Sequence, residues 1–419
     1  MSAHDRGETL LGGRRALDLT DERGFLCGRI LGDLGVDVIK VEPPGGDRAR
    51  NIGPFYHDVV DPERSLYWFG CNLNKRGITL DIETADGRAL FKRLVEGADF
   101  VIESYPPGHM DGLGLGYQAL SAINPRVILT SITPWGQSGP YSEYKATDIV
   151  SCAMGGFMSM SGDADRPPVR ISYPQSWFQG GAEAAAGTMI AYYHRETSGE
   201  GQHVEVAIQQ VNCWNMMNAS QIWEFWHRNQ PREGAIMRDL ATGVMRRGVW
   251  PCKEGHVVFL IGTGPLFGPS MKAMTEWIES EGIDTSALQV DWVERGQTQM
   301  TQEEMEIWIP PVAELFKRYT AMEIYLQSVE RHIMLTPCSS AGDFLHDPQL
   351  KDRGYWMDVE HPELGTTITY PGAWCQTNAA QMGGWTRAPL IGEHNEEIYM
   401  KELGLSPQEL ATLKGVGVI

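Results

Sequence analysis

The residues best placed to do chemistry in this chain lie between positions 167 and 202. An apolar strand there is predicted to enter a turn at residues 174–177, and a helix of small residues follows from about residue 182 to residue 194. Small residues let such a helix pack closely, so we expect the turn at the sheet edge where open α/β folds place their ligands. Glu183 is the only carboxylate from Val169 to His194. It is therefore the one candidate nucleophile of this stretch, and a paired or exposed helix glutamate without a role is the alternative.

A second group of chemically capable residues lies in the run NLNKRGITLD at residues 72–81. Asn74, Lys75 and Arg76 offer amide and cationic donors, which suit a phosphate or an adenine ring. A solvated turn in front of a strand is the alternative interpretation.

The composition excludes several classes of protein. The chain has 419 residues, 42% of them hydrophobic, and a net charge of −19 without a basic stretch, so a nucleic-acid surface is not expected. No apolar run of about 18 residues predicts a membrane span, and the N-terminus lacks the apolar region of a secretory signal. The seven cysteines are scattered without a CxxC pair. This spacing favours reduced thiols in the cytoplasm and argues against a zinc site.

The elements that must position these residues begin with a β-α-β unit. Residues 15–20 read as a strand, residues 21–35 as an amphipathic helix, and residues 37–42 as a second strand. This alternation predicts a parallel sheet covered by helices, an α/β fold. Farther on, residues 209–232 predict a long helix rich in Trp and Met, and residues 248–261 predict an antiparallel hairpin.

Three strings have a specific resemblance to one family. They read LGVDVIKVEPPGGD, SITPWGQSGPY and RAPLIGEH, at residues 34–47, 131–141 and 387–394. In order and spacing they resemble the class III CoA-transferases, the group of formyl-CoA transferase and carnitine CoA-transferase. The resemblance runs over almost the whole chain and implies CoA or acyl-CoA as a substrate, without a tightly bound cofactor or a metal.

The resemblance also implies an architecture. A large Rossmann-like domain would be formed by both chain ends, residues 1–232 plus 333–419, with a smaller α+β domain at residues 233–332 inserted. Two subunits would interlock like chain links, and each site would form where a large and a small domain meet across subunits.

Site residues follow from the same resemblance. Asn74, Lys75 and Arg76 would lie beside CoA, and Ser104 stands where the family has a CoA-contacting Asn. Gly112 stands where the family has an Arg. Gly262 and Gly264 resemble a glycine loop that covers the active site, with a plain turn as the alternative.

The covalent acid of the family is replaced in this chain. In the family motif P-x-A-D-x-x-x-G an Asp attacks the thioester, and here Trp177 occupies its position between Pro174 and Gly181. An indole cannot form an acyl anhydride. Glu183 lies six residues farther along the helix, more than one helical turn away.

These losses lead to a hypothesis about partners. The chain would be the non-nucleophilic subunit of a heteromeric class III CoA-transferase, paired with a homologous subunit that carries the Asp. It resembles members that transfer CoA from succinyl-CoA to an aromatic dicarboxylate such as benzylsuccinate. A homodimeric acyl-CoA racemase or isomerase and a non-catalytic CoA-ester binding protein are the alternatives.

Overall fold

The computed structural model describes residues 9–239 and 242–419, which form two compact units. The first unit contains the described residues through Phe157 together with Ile171–Asn218 and Lys351–Ile419. The second contains Met158–Arg170 and Ala219–Leu350. The domain boundaries inferred at residues 232 and 333 stay a prediction.

A parallel sheet of six strands organises the first unit. The strands are β1 (Arg15–Leu19), β2 (Asp37–Glu42), β3 (Lys75–Thr79), β4 (Phe100–Glu103), β5 (Ile128–Thr133) and β6 (His203–Ala207). Their order is β3-β2-β1-β4-β5-β6, and every neighbouring pair is parallel. The predicted Rossmann-like α/β class is confirmed. Because the chain moves outward from β1 to β3 and then returns to β4, a crevice is expected between the carboxyl ends of β1 and β4.

Both faces of the sheet are covered, as in most all-parallel sheets. Leu17 of β1 and Val101 of β4 pack in one core cluster, whereas Ala16 and Phe100 pack in another on the opposite face. The helices of this unit are α1 (Phe25–Asp33), α2 (Leu66–Cys71), α3 (Ala85–Val95), α4 (His109–Gly112), α5 (Tyr117–Ile123), α6 (Asp148–Met154), α7 (Gln175–Ser198) and α8 (Ile208–Asn215).

The predicted turn at residues 174–177 is wrong, because α7 already begins at Gln175. Pro174 precedes the helix, and its carbonyl accepts a hydrogen bond from the amide of Phe178 at 3.2 Å. Trp177 therefore lies in the first turn of a 24-residue helix. The small residues of α7 do permit close packing. A Cβ at Gly180 would lie 2.7 Å from Ile208 of α8, and one at Gly181 would lie 2.9 Å from Leu26 of α1.

The second unit combines short antiparallel strands with helices. Its elements include α9 (Ala219–Trp226), β7 (Ile236–Arg238), β8 (Met245–Arg247), β9 (Val249–Pro251), β10 (His256–Phe259), α10 (Gly264–Ser280), α11 (Gln302–Phe316), α12 (Ala321–Glu330), β11 (Leu335–Pro337) and α13 (Ala341–Leu345). The predicted hairpin is present as the antiparallel pair β9–β10. The predicted continuous helix over residues 209–232 is wrong, because Met217, with a φ of 36°, separates α8 from α9.

The C-terminal part of the chain returns to the first unit. After α14 (Pro348–Asp352), the chain forms a hairpin of β12 (Trp356–His361) and β13 (Thr366–Pro371). A π-helical segment (Glu396–Glu402) and α15 (Pro407–Gly415) complete it. Throughout residues 9–239 and 242–419, every helix falls short of the length or the apolar character that a membrane span requires.

Candidate functional site

A cavity of about 460 Å³ opens where the carboxyl ends of β1 to β4 meet, at the crevice expected from the strand order. Its polar lining combines Ser104 and two arginines, Arg23 and Arg48, with five carboxylates, Asp21, Glu42, Asp47, Asp81 and Glu83. The size is sufficient for a substantial part of a cofactor-sized ligand.

Two arginines are the cationic side chains in the lining of this cavity. Arg23 forms a bidentate ion pair with Asp21, with N–O distances of 2.8 and 2.6 Å. Arg48 contacts the same carboxylate at 2.9 Å and Glu22 at 3.1 Å, and 70% of its side chain stays exposed. Asp21 thus orients two guanidinium groups at the cavity, and Arg48 keeps donors on its open side for an anionic ligand.

Ser104, the residue at the family's Asn position, forms part of the same wall. Its hydroxyl accepts a hydrogen bond from the backbone amide of Asp21 at 2.8 Å and donates one to the Asp21 carboxylate at 3.0 Å. Burial opposes ionisation of Asp21, but the hydrogen bonds and charges of Arg23, with the charge of Arg48, lower its pKa. The carboxylate therefore stays ionised and keeps holding both arginines.

Lys75 lies beneath this edge in a fully buried polar cluster. Its ammonium donates to Asp18 at 2.7 Å, to the carbonyl of Phe25 at 3.0 Å and to the side chain of Asn72 at 2.8 Å. Burial lowers the pKa of Lys75, and the adjacent Asp18 carboxylate opposes that shift. All three N–H donors of the ammonium have partners inside the protein.

Asn74 and Arg76 have internal partners as well. The amide of Asn74 donates to Asp33 at 2.6 Å, and Arg76 forms ion pairs with Asp37 and Glu402, both at 2.6 Å. Neither residue belongs to the cavity lining, and neither does Lys75. Of the residues that the resemblance assigned to CoA in the first unit, the structure brings Ser104 alone to the cavity, and direct contacts of the other three with CoA stay a prediction.

The position of the family's nucleophile is buried and apolar. Trp177 is 5% exposed and packs in the core cluster of the sheet face that α7 covers. The next residue, Phe178, stacks on Tyr67 with ring centroids 6.4 Å apart. This first turn of α7 presents aromatic side chains where an acyl-carrying carboxylate would be needed.

Asp148 is the carboxylate that contacts this turn. Its Oδ1 accepts hydrogen bonds from the backbone amides of Ser176 at 2.9 Å and Trp177 at 3.4 Å. Asp148 is the first residue of α6, and through these two bonds it caps the N-terminal end of α7. A carboxylate held this way satisfies N–H groups that the start of a helix leaves without partners.

The remaining predicted residues do not belong to the cavity lining. Glu183 is half-buried on α7, outside the residues that line the cavity, and Gly112 is exposed at the end of α4. In the second unit, Gly262 and Gly264 flank the N-terminal end of α10 and are both buried. In the described part of the chain, no group of three or more His, Cys, Asp or Glu side chains could hold a metal ion.

A second cavity, also of about 460 Å³, lies beside β4 and β5. It is lined by Glu103, Ser131 and His203, and Ser131 is hydrogen-bonded to the His203 ring at 2.8 Å. Burial raises the pKa of Glu103 to about 7, although hydrogen bonds from Ser131 and the amide of Tyr105 oppose the shift. This carboxyl group can change its charge near neutral pH.

Sequence reasoning missed the two arginines of the first cavity. Arg23 follows β1 directly, and Arg48 follows the loop after β2. Their position just beyond the carboxyl ends of adjacent parallel strands was the signal available. The two residues bring positive charge to the cavity, whereas the first turn of α7 contains no carboxylate.

Known proteins resemble this chain over almost its whole length. The model of CoA-transferase family III matches residues 11–395. Subunit BbsE of succinyl-CoA:(R)-benzylsuccinate CoA-transferase from Thauera aromatica is 33% identical over 97% of both chains. Succinyl-CoA–D-citramalate CoA-transferase from Chloroflexus aurantiacus is 31% identical over 94% of both chains.

Solved structures extend the likeness to three dimensions. A CAIB/BAIF family protein from Brucella suis superposes with a TM-score of 0.82 and 28% identity, over 94% of this chain and 99% of the other. The parallel sheet, the three sequence strings and the full-length family match lead to one conclusion: this chain belongs to CoA-transferase family III.

Proposed function

We propose that this chain is the non-nucleophilic subunit of a heteromeric class III CoA-transferase, which moves CoA from succinyl-CoA to a carboxylic acid. The observation that carries the proposal is the contrast within the first unit. An arginine-bearing cavity is kept at the strand ends, while the turn that should carry the covalent acid holds the buried Trp177.

The cavity supports binding of CoA. CoA carries phosphate groups, and Arg23 and Arg48 are the charged donors at the cavity that match them. Arg48 would substitute in part for the arginine that the family carries at the position of Gly112. Asn74, Lys75 and Arg76 lie at the start of β3 and would act on CoA binding indirectly, through the packing of the sheet.

The chemistry of transfer requires a carboxylate that this chain does not place at the required position. In the proposed reaction, a carboxylate oxygen attacks the thioester carbonyl, the C–S bond breaks, and CoA leaves as a thiolate. The thiolate then attacks the side-chain carbonyl carbon of the resulting anhydride, which releases succinate and leaves CoA on the side chain as a thioester. The acceptor carboxylate displaces CoA from that thioester and forms a second anhydride. The thiolate finally attacks the acceptor's carbonyl carbon, which gives the new acyl-CoA and regenerates the side-chain carboxylate. We assign the attacking carboxylate to a homologous partner subunit.

The names of the relatives support a heteromer with succinyl-CoA as donor. The relative from Thauera aromatica is named as a subunit, and another from Chloroflexus aurantiacus, 26% identical, is named as the beta subunit of succinyl-CoA–L-malate CoA-transferase. Several relatives are named for succinyl-CoA as donor. The acceptor would be a dicarboxylate, with an aromatic one such as benzylsuccinate as the first to test.

In the proposed assembly the two subunits interlock. The N-terminal end of α10 with Gly262 and Gly264 would then cover the partner's nucleophile. Exposed apolar side chains on α6 to α8 supply a surface for such a contact, among them Ile190, Tyr193 and Trp214, each more than 60% exposed.

The test is an exchange assay between succinyl-CoA and labelled succinate, which needs no acceptor acid. The tagged chain is purified by itself and together with any homologous chain that copurifies, and incorporation of labelled succinate into succinyl-CoA is measured. The complex should exchange label, and replacing the partner's nucleophilic Asp by Asn should abolish exchange. The lone chain should bind CoA in calorimetry without exchanging label.

Two results would contradict the proposal. Full exchange by the lone chain would assign the nucleophile to this polypeptide. Proton exchange at the α-carbon of an acyl-CoA, catalysed by the lone chain without succinate exchange, would favour a racemase or isomerase.

A further inference from the structure

The loop of residues 262–264 in the second unit carries a polar group without a partner. Thr263 is 1% exposed, and within the described residues its hydroxyl has no hydrogen-bond partner. It precedes the 17-residue helix α10 and does not cap that helix with its side chain. The adjacent Gly264 has a φ of +87°, and its amide donates to the carbonyl of Trp292 at 2.8 Å.

Arg246 holds the residue in front of this loop. Its Nε and Nη2 donate to the carbonyl of Ile261 at 3.1 and 2.7 Å, and its guanidinium lies 5.0 Å from the centre of the Phe267 ring. A Cβ at Gly262 would lie 2.9 Å from the same Nη2. The loop backbone is therefore pressed against a buried guanidinium, and glycine is the residue that permits this approach.

Asp239 fixes the arginine in turn. Its carboxylate accepts from Arg246 at 3.0 Å and from Gln297 at 2.9 Å, and Thr242 donates to its other oxygen. Although burial opposes ionisation, the hydrogen bonds from Thr242, Gln297 and Arg246 lower the pKa of Asp239 to about 2. The Asp239 carboxylate therefore stays ionised near neutral pH and continues to hold Arg246.

We infer that Arg246, held by Asp239, is a positioning residue that sets the loop of residues 262–264 for CoA transfer. The inference rests on the proposed function, in which this loop covers the partner's acyl-carrying carboxylate. The guanidinium of Arg246 donates hydrogen bonds to Ile261 and Asp239, so Arg246 acts through the loop. The Thr263 hydroxyl stays available to the partner's acyl-carrying carboxylate.

A displaced loop has a specific chemical consequence. Water can then attack the acyl carbonyl of the anhydride on the partner's carboxylate. The bond between the acyl carbon and that carboxylate oxygen breaks, which gives the acid as its carboxylate ion and regenerates the partner's carboxylate, and the two protons of water pass to solvent. Hydrolysis of succinyl-CoA should therefore rise at the expense of transfer.

The test compares Arg246→Lys and Asp239→Asn with the matched control Arg247→Lys in the copurified complex. Arg247 is the next residue of β8 and lies over the Trp250 ring at 5.6 Å, away from the loop contacts. For Arg246→Lys, misplacement of the loop should lower label exchange about 10- to 100-fold. The ratio of hydrolysis to exchange should rise for both test variants and stay at the wild-type value for Arg247→Lys.

A second measurement on the lone chain separates this inference from the proposed function. Amide hydrogen exchange at residues 262–267 should be faster in Arg246→Lys than in wild type, while strands β1 to β5 keep their protection. Unchanged exchange in this segment, or a wild-type hydrolysis ratio in a folded Arg246→Lys complex, would overturn the inference and leave the proposed function standing. A wild-type complex without transfer would overturn both.

Discussion

The carboxyl ends of β1 to β4 and the first turn of α7 belong to the same compact unit and differ in almost every physical respect. The strand ends surround an open cavity with two arginines oriented by Asp21. The helix turn is closed, with Trp177 in the core and its backbone amides capped by Asp148. The first region presents two cationic side chains at an open cavity, and the second presents no carboxylate of its own.

This difference teaches that ligand binding and covalent transfer are separable within one fold. Binding depends on the strand order, which creates a crevice for any sequence that folds this way. Covalent transfer depends on a single side chain, and one substitution removes it while the surrounding packing remains.

The largest expected effect comes from replacing Trp177 by Asp. Loss of a buried indole leaves a cavity, and the new carboxylate is buried near Asp148, so we expect a loss of about 4 kcal/mol in the free energy of unfolding. Chemical denaturation measures the change, with Trp177→Phe as the control that keeps an aromatic side chain. We expect no succinate exchange by the lone variant. Clear exchange would show that the first turn of α7 can still carry an acyl group, and the two regions would then not differ as described.

The next effect concerns the buried carboxyl group of Glu103 beside the cavities. Because its pKa is raised to about 7 in the folded state, the folded protein binds more protons than the unfolded one above the ordinary glutamate pKa. This group therefore favours the folded state at low pH, and its contribution should fall by about 3 kcal/mol as pH rises toward 7. Denaturation at several pH values should show the free energy of unfolding falling with pH in wild type, and this fall should be absent in Glu103→Gln. The same pH dependence in both proteins would contradict a raised pKa of Glu103.

A smaller effect should follow from removing the cap on α7. Asp148→Ala leaves the amides of Ser176 and Trp177 without their acceptor, which should cost about 1–2 kcal/mol in unfolding free energy. Asp148→Asn keeps an acceptor oxygen and should cost less. Both variants should support wild-type exchange in the complex, because we assign the nucleophile to the partner; an Asp148→Asn complex that is folded but inactive would identify Asp148 as the missing acid.

The smallest effect should be at the mouth of the first cavity. Arg48 is largely exposed, so Arg48→Ala should weaken CoA binding by the lone chain about fivefold, equivalent to about 1 kcal/mol. Calorimetry at low and high salt checks this, and the difference should shrink as salt screens the charge. Arg64→Ala, a surface arginine outside the cavity lining, is the control; equal affinities in all three proteins would remove Arg48 from the site.

Local patterns predicted much of the first unit. The alternation of apolar segments and glycine breaks predicted β1, α1 and β2, because each element is specified by residues adjacent in sequence. The start of α7 could not be predicted this way, since its cap comes from Asp148, 28 positions away from Ser176 in sequence. The break at Met217 was missed for the same reason, as helical propensity continues through it.

By itself the sequence determined the family and the absence of an acidic side chain at the nucleophile's position, because both are properties of residue identity and order. Only the tertiary structure decided that Lys75 and Arg76 have internal partners and that Arg23 and Arg48 meet at one cavity. Those outcomes depend on which distant residues approach one another. The free energy of burying or pairing a charge is set by such neighbours and cannot be read from positions along the chain.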